Sequence, residues 1–150
     1  MTVNVSFPDL PEFRRALAAM VMRVERATGP ATRAGAEHIV ESIHKHMDGP
    51  MPPKPAGFPP ARRTGNLFDS IRMRTVGGGV GRGRWNYEIY ADTAQAPYAR
   101  RIEFGFHGTD VLGRKYNQPP YPYFYPGVRD AIADGTIMKT YLEGWGGAIL

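Results

Sequence analysis

Between residues 47 and 62 the chain reads MDGPMPPKPAGFPPAR, with six prolines. Each proline fixes φ and removes a backbone donor, so neither a helix nor a central strand can run through this stretch. It must be an extended, partly stiff loop of unusual length. Everything regular lies on one side of it or the other. The part before it reads only as helix and cannot bury a core alone, so the loop lies inside one domain, residues 1–150.

Upstream, residues 1–8 read as an extended arm. A helix is predicted from about Asp9 or Pro11, because Asp9 can cap and Pro11 suits a first turn. Leu10, Phe13, Leu17, Met20, Val21 and Val24 recur at three- and four-residue steps and define an apolar face. Gly29-Pro30 predicts a break or kink. A second helix should then run to about His46, with Ile39, Val40, Ile43 and Met47 turned inward.

Downstream, TGNLFDSI (residues 64–71) reads as a capped turn, with Thr64 as the cap and Leu67, Phe68 and Ile71 as inward anchors. SIRMRTV and WNYEIYAD both alternate with period two, the pattern of half-buried strands. They should pair as an antiparallel hairpin with a glycine-rich basic tip. APYARRIEFG predicts a short helix opened by Pro97 and closed by Gly105, with Tyr98, Ile102 and Phe104 inward. FHGTDVLGRKYNQ reads as an excursion or small hairpin. A proline–aromatic segment then leads into a last helix with Val128, Ile132, Ile137 and Leu142, weakened at Gly135, and a tail over 144–150. The fold class expected is α+β: N-terminal helices and a C-terminal helix on a short antiparallel sheet. Flexible loops are expected at about 47–62, 77–84 and 107–118.

Composition narrows the function classes. The chain has no cysteine, which excludes a disulfide framework, a cysteine nucleophile and thiolate-bound zinc, and fits folding in a reducing compartment. No apolar run is long enough to span a membrane, and the first residues lack the pattern of a signal peptide. The net charge is +5, spread along the chain rather than blocked. A basic nucleic-acid-binding module is therefore an alternative reading.

Chemical motifs are sparse. GGGVGRGR lacks the spacing of a phosphate loop and precedes a strand instead of a helix. EHIVESIHKH offers Glu37, His38, Glu41, His44 and His46, but not the spacing that converges on a metal; Glu37/Glu41 and Glu41/Lys45 are ordinary helix-surface neighbours. Ser42 and Ser70 lack a nucleophile motif. Asp69, Glu88, Asp92 and Glu103 would matter to an enzyme only if they converged. No cofactor and no enzymatic activity are expected. Glu103, between Ile102 and Phe104, should be partly buried and needs partners, which Arg62, Arg63 or the Thr64-Gly65 amides would supply.

Three elements, in order, resemble the tail-completion, or head–tail neck, proteins of long-tailed bacteriophages. A Thr-Gly-x-Leu-x-x-Ser-Ile element is matched by Thr64, Gly65, Leu67, Ser70 and Ile71. A Tyr-Ala-x-x-x-Glu-x-Gly element is matched by Tyr98, Ala99, Glu103 and Gly105. A Pro-aromatic-x-x-Pro element is matched around Pro122, Phe124 and Pro126. Together they span about residues 62–131, while the N-terminal helices match in type alone. The excursion at 107–118 is longer than the family's tight turn, and Gly29-Pro30 departs from its helices.

The resemblance implies a virion structural protein made in the bacterial cytoplasm. Its copies would form a ring, taken as a hexamer, in the neck between head connector and tail tube. Its partners would be itself, adjacent neck and tail proteins, and DNA passing through the lumen without sequence-specific binding. On that reading Thr64, Gly65, Leu67, Ile71, Tyr98, Glu103 and Gly105 form a structural joint. Arg82, Arg84, Tyr121, Tyr123 and Tyr125 are interface candidates, and the loops at 50–60, 77–83 and 107–118 are assembly arms that order on contact with neighbours.

Overall fold

A single long helix, α1 (Leu10–Lys45), is the spine against which the first strand pair and the two C-terminal helices pack. The computed structural model describes residues 9–49, 55–82 and 84–149. The expected arm at 1–8, residues 50–54 of the proline loop, Gly83 of the hairpin tip and Leu150 lie outside the described residues. After α1 come α2 (Asn66–Asp69), β1 (Ile71–Gly79), β2 (Arg84–Ala91), α3 (Ala99–Phe104), β3 (Phe106–Thr109), β4 (Lys115–Gln118), α4 (Phe124–Ala133) and α5 (Thr136–Ile149). The class is α+β, as the sequence patterns require.

The break expected at Gly29-Pro30 does not occur; α1 continues through Pro30. A proline inside a helix costs roughly 3 kcal/mol, through a lost amide donor and a clash with the preceding turn. Packing on both sides of α1 offsets that cost. Trp85 of β2 lies directly over Gly29. On another side α5 presents Tyr141, whose hydroxyl donates to Thr32 Oγ1 at 2.7 Å, and Trp145, whose Nε1–H donates to Thr28 Oγ1 at 3.0 Å. Gly144 sits against Ala27 and Ala31, and Ile137 against Gly35, so small residues let the two helices approach closely. Pro30 itself faces solvent.

β1 and β2 pair antiparallel from Ile71↔Ala91 to Gly79↔Arg84, with a bulge between Thr75 and Gly77. The alternation places Ile71, Met73, Trp85, Tyr87 and Ile89 on the covered face and Arg72, Arg74, Asn86 and Glu88 outside. β1 reaches Gly79, so the tip is shorter than the 77–84 loop expected. The 107–118 excursion belongs to a second hairpin, Phe106↔Gln118 to Thr109↔Lys115. Asp110 fastens its turn: the carboxylate accepts from the Leu112 and Arg114 amides, Arg114 Nε and the Tyr116 hydroxyl. This hairpin's shape is thus set within itself.

The last helical region is two helices. Gly135, at φ 77°, ends α4, and Asp134 Oδ1 accepts the Thr136 amide to start α5. The tail expected over 144–150 is instead helical as far as Ile149; apolar contact with α1 offsets the glycine content of GWGGAI. α4 crosses α1 where Gly127 meets Ile43. A Cβ on Gly127 would lie 2.5 Å from Ile43 Cα, so only glycine allows this crossing distance. The core gathers there: Ile43, Met47, Ile71 and Tyr123, ringed by Ile39, Val40, Leu67, Phe68, Ile89, Ile102, Phe124 and Val128.

Because Pro30 is exposed and its ring replaces a helix donor, Pro30→Ala should stabilise the fold by about 2–3 kcal/mol. The urea-unfolding midpoint measures it, and a lower midpoint would mean that the proline ring has a packing role.

Candidate functional site

The short helix α3 positions the one carboxylate that is buried among the described residues. Ala99 and Glu103, one turn apart, form its inward face, while Tyr98 and Phe104 are largely exposed, contrary to the inward placement expected. Glu103 is 6% exposed. A carboxylate buried this far needs donors, and it has three. Glu103 Oε2 accepts from the amides of Tyr123 at 2.8 Å and Phe124 at 2.9 Å, and Oε1 from Tyr125 at 3.0 Å.

These donors are not the ones expected; Arg62, Arg63 and the Thr64-Gly65 amides do not serve Glu103. The reason is geometric. The first amides of α4 have no partner within their own helix, and the N-terminal end of a helix favours negative charge. Glu103 therefore caps α4 from another element, and no residue of α4's own N-terminus does so by side chain. Two more bonds close the joint. The Tyr123 hydroxyl donates to the Ala99 carbonyl at 3.3 Å, and the Tyr121 amide donates to the Ile102 carbonyl at 2.7 Å. Burial, with the Glu103 charge adding to it, pushes the Tyr123 phenol well above its ordinary pKa.

Gly105 ends α3 with φ 75°. A Cβ there would lie 2.7 Å from the Gln118 carbonyl, so the residue must be glycine for both dihedral and space. Gly65, at φ 84°, takes the cap position of α2 that Thr64 was expected to hold. Thr64 Oγ1 only approaches the Asn66 amide, at 3.4 Å. Ile71 and Leu67 belong to the core, Ile71 buried and Leu67 packed against it.

Beside the joint lies a groove of about 540 Å³, with Thr64, Gly65, Leu67, Tyr98, Ile102 and Tyr121 in its wall and Arg62 and Arg63 at one side. Four of the expected joint residues thus meet across one depression with the interface candidate Tyr121. The Arg62 guanidinium lies 4.1 Å from the centre of the Phe68 ring. His44 of α1 stacks on the same ring at 3.8 Å and donates from Nε2 to the Phe68 carbonyl at 3.1 Å. Burial of this half-buried imidazole holds His44 below its usual pKa, against the opposing pull of that carbonyl.

The interface candidates divide. Arg82, Arg84 and Tyr125 are exposed, and Tyr121 is half-buried in the groove. Tyr123 is 2% exposed and is not available to a partner. Strand-like alternation was expected to put 121, 123 and 125 on one side. α4 begins at Phe124, which breaks that alternation and turns Tyr123 into the core.

The other candidate groups have separate partners. Glu88 pairs with Arg74 at 2.6 Å and Asp92 with Arg72 at 3.5 Å, so neither converges on Glu103. The histidines of α1 also find different partners. His38 Nε2 donates to Asp134 at 2.7 Å, and His46, just past the end of α1, donates from Nδ1 to the Ser42 carbonyl at 3.0 Å with its Nε2 3.1 Å from Asp130, so both lie against α4 and its C-terminal cap. The Thr136 amide, and after it His38, holds Asp134 below the usual carboxylate range. Among the described residues there is no group of three or more His, Asp or Glu placed to hold a metal, and no helix is long and apolar enough to cross a membrane. What sequence reasoning missed is the pairing of Glu103 with residues 123–125. The usable signal was a proline–aromatic helix start with no capping side chain of its own.

The chain matches no family model, no curated protein and no solved structure.

Glu103→Ala leaves three amides without their acceptor and should lower stability by about 1–3 kcal/mol, with Glu103→Gln, which keeps one carbonyl, falling between. Equilibrium denaturation measures both; an unchanged Glu103→Ala midpoint contradicts the joint. For His44 the sign follows from a lowered native pKa. The unfolded chain binds the proton first, so stability is full above pH 6.5 and declines as pH falls towards the native value. His44→Gln should flatten that decline between neutral pH and the acid side of 6.5, as read from urea midpoints.

Proposed function

We propose that this chain is a structural subunit of a bacteriophage neck, a ring component that joins the head connector to the tail and lets DNA pass. The observation that supports the reading is the convergence of the three elements that carry the resemblance. Thr64, Gly65 and Leu67 of the first and Tyr98 of the second share the wall of one groove. Glu103 of the second holds the amides that open α4 in the third. Segments far apart in sequence therefore form one device, as a common architectural role requires.

The chemistry of the device supports scaffolding. Glu103, the one buried carboxylate among the described residues, accepts three backbone amides, and the groove wall is mainly apolar. Tyrosine and arginine at an apolar depression are residue types favoured at protein interfaces. Arg72 and Arg74, which could have formed an open basic row on β1, are paired with Asp92 and Glu88. That favours a protein-binding role over direct phosphate contact. Of the expected assembly arms, the 107–118 hairpin presents an exposed Val111-Leu112 tip held in shape by Asp110. It is ready for contact without prior ordering. Virion location in the neck, self-assembly into a ring and adjacent neck and tail proteins as partners all belong to this proposal.

Mass spectrometry of purified particles from a phage carrying the gene tests it. The chain should be present at the low copy number of a single ring, and deletion of the gene should yield heads and tails that fail to join. Mature, infectious particles lacking the chain would overturn the proposal.

A further inference from the structure

The groove beside the joint has a charge as well as a shape. Its apolar wall carries two tyrosines, Tyr98 and Tyr121, and the charged residues in it are Arg62 and Arg63. No carboxylate lines it, and neither arginine has an ion pair among the described residues. Asp69 stands beside Gly65 without pairing with them. Aromatic-lined grooves take extended, proline-bearing segments, because such a segment loses little freedom on binding. The arginines add a requirement for a carboxylate on that segment.

The chain itself holds a segment of this description. Residues 1–13, MTVNVSFPDLPEF, carry Asp9 and Glu12 and no cationic side chain. Pro8 disfavours helical geometry at Phe7, so the sequence predicts extended backbone there. Asp9 and Glu12 are exposed, and the Asp9 side chain does not cap α1. The other acidic residues are committed. Asp48 and Asp69 adjoin the wall residues Met47 and Phe68 in sequence. Every other one beyond Glu12 holds a hydrogen bond or an ion pair. Asp9 and Glu12 are thus the carboxylates that one copy has left to offer to another.

A chain cannot fill its own groove with this segment. From Leu10 to Lys45, α1 is about 54 Å long at 1.5 Å per residue. The groove lies at its far end, against Met47 and the Phe68 ring that stacks on His44. Phe7 is three residues before Leu10, a reach of about 11 Å. We propose that residues 3–9 of one copy dock in the groove of a second copy, with the Phe7 ring among Leu67, Tyr98, Ile102 and Tyr121 and the Asp9 carboxylate against Arg62 and Arg63. Each copy gives one arm and fills one groove. Head-to-tail contacts of this kind close into rings when the rotation permits. The inference deepens the ring-subunit reading and rests on it for closure.

The absence of native cysteine makes a direct test clean. A tagged chain with Ser6→Cys is mixed with a chain carrying Thr64→Cys, at an exposed residue of the groove wall, and the two are joined with a short bis-maleimide. Thr93→Cys, at an exposed turn outside the groove, gives the background. The 6–64 product should exceed the 6–6 and 6–93 products several-fold. Asp9→Arg in the tagged chain should cut it several-fold, and Arg63→Glu in the partner chain should bring it back. One chain carrying both Ser6→Cys and Thr64→Cys should give linked oligomers and no closed monomer. A dominant 6–6 product, a 6–64 product at background, a 6–64 product that does not follow the charge swap, or a closed monomer would each overturn the inference. If the cross-link fails while particles contain the chain, this inference falls and the neck reading stands. A cross-link from a chain absent from particles gives the reverse.

Discussion

A single buried carboxylate fixes the relation between the two halves of the core. Glu103 sits on α3, and the three amides it holds belong to the start of α4, about twenty residues later. An unpaired carboxylate in that position would carry a large desolvation cost, and three unpaired amides would add theirs. Together they satisfy each other with charge-assisted bonds at the end of a helix that favours negative charge. The geometry admits little variation. Tyr123 must turn inward for its amide to reach Oε2, its hydroxyl then meets the Ala99 carbonyl, and its ring fills the centre of the core.

The rest of the body follows from where that joint places α4. Gly127 brings α4 onto Ile43, and α1 becomes the surface against which α4, α5 and the β1–β2 hairpin are all laid. The groove is the space left between α2, α3 and the non-strand segment 119–123 that leads into α4, so its wall inherits residues from all three segments. α1 then extends past everything that packs on it. Helix propensity alone rarely holds an exposed stretch of this length; the long packed portion nucleates it and the free seam continues it. An apolar surface built this way is costly to leave bare.

Much of the fold was legible because burial here follows simple periods. The alternation in SIRMRTV and WNYEIYAD gave both strands and their inward residues, and the three–four spacing from Leu10 to Val24 gave the helix. The same spacing misled on burial, since periodicity shows that a face is apolar and not that something covers it. Pro30 was misread for a related reason. Its local cost is real, but Trp85, Tyr141 and Trp145 hold the helix together from outside, and none of these contacts is local. At the site, the burial of Glu103 was legible from Ile102 and Phe104, although Phe104 itself is exposed. Its partners were not legible, because amides carry no side-chain signature. Tyr123 was placed on the wrong side because the helix start at Phe124 interrupts an alternation that looks continuous in PPYPYFYPG.

If Glu103 is the scaffold of this core, the amides of Tyr123, Phe124 and Tyr125 are locked in the native state and open only when the core does. Native-state hydrogen exchange followed by NMR measures this residue by residue. These three amides, although they lie in the first turn of a helix, should exchange as slowly as the interior of α1 around Ile43. Exchange at the rate of a frayed helix end would contradict it.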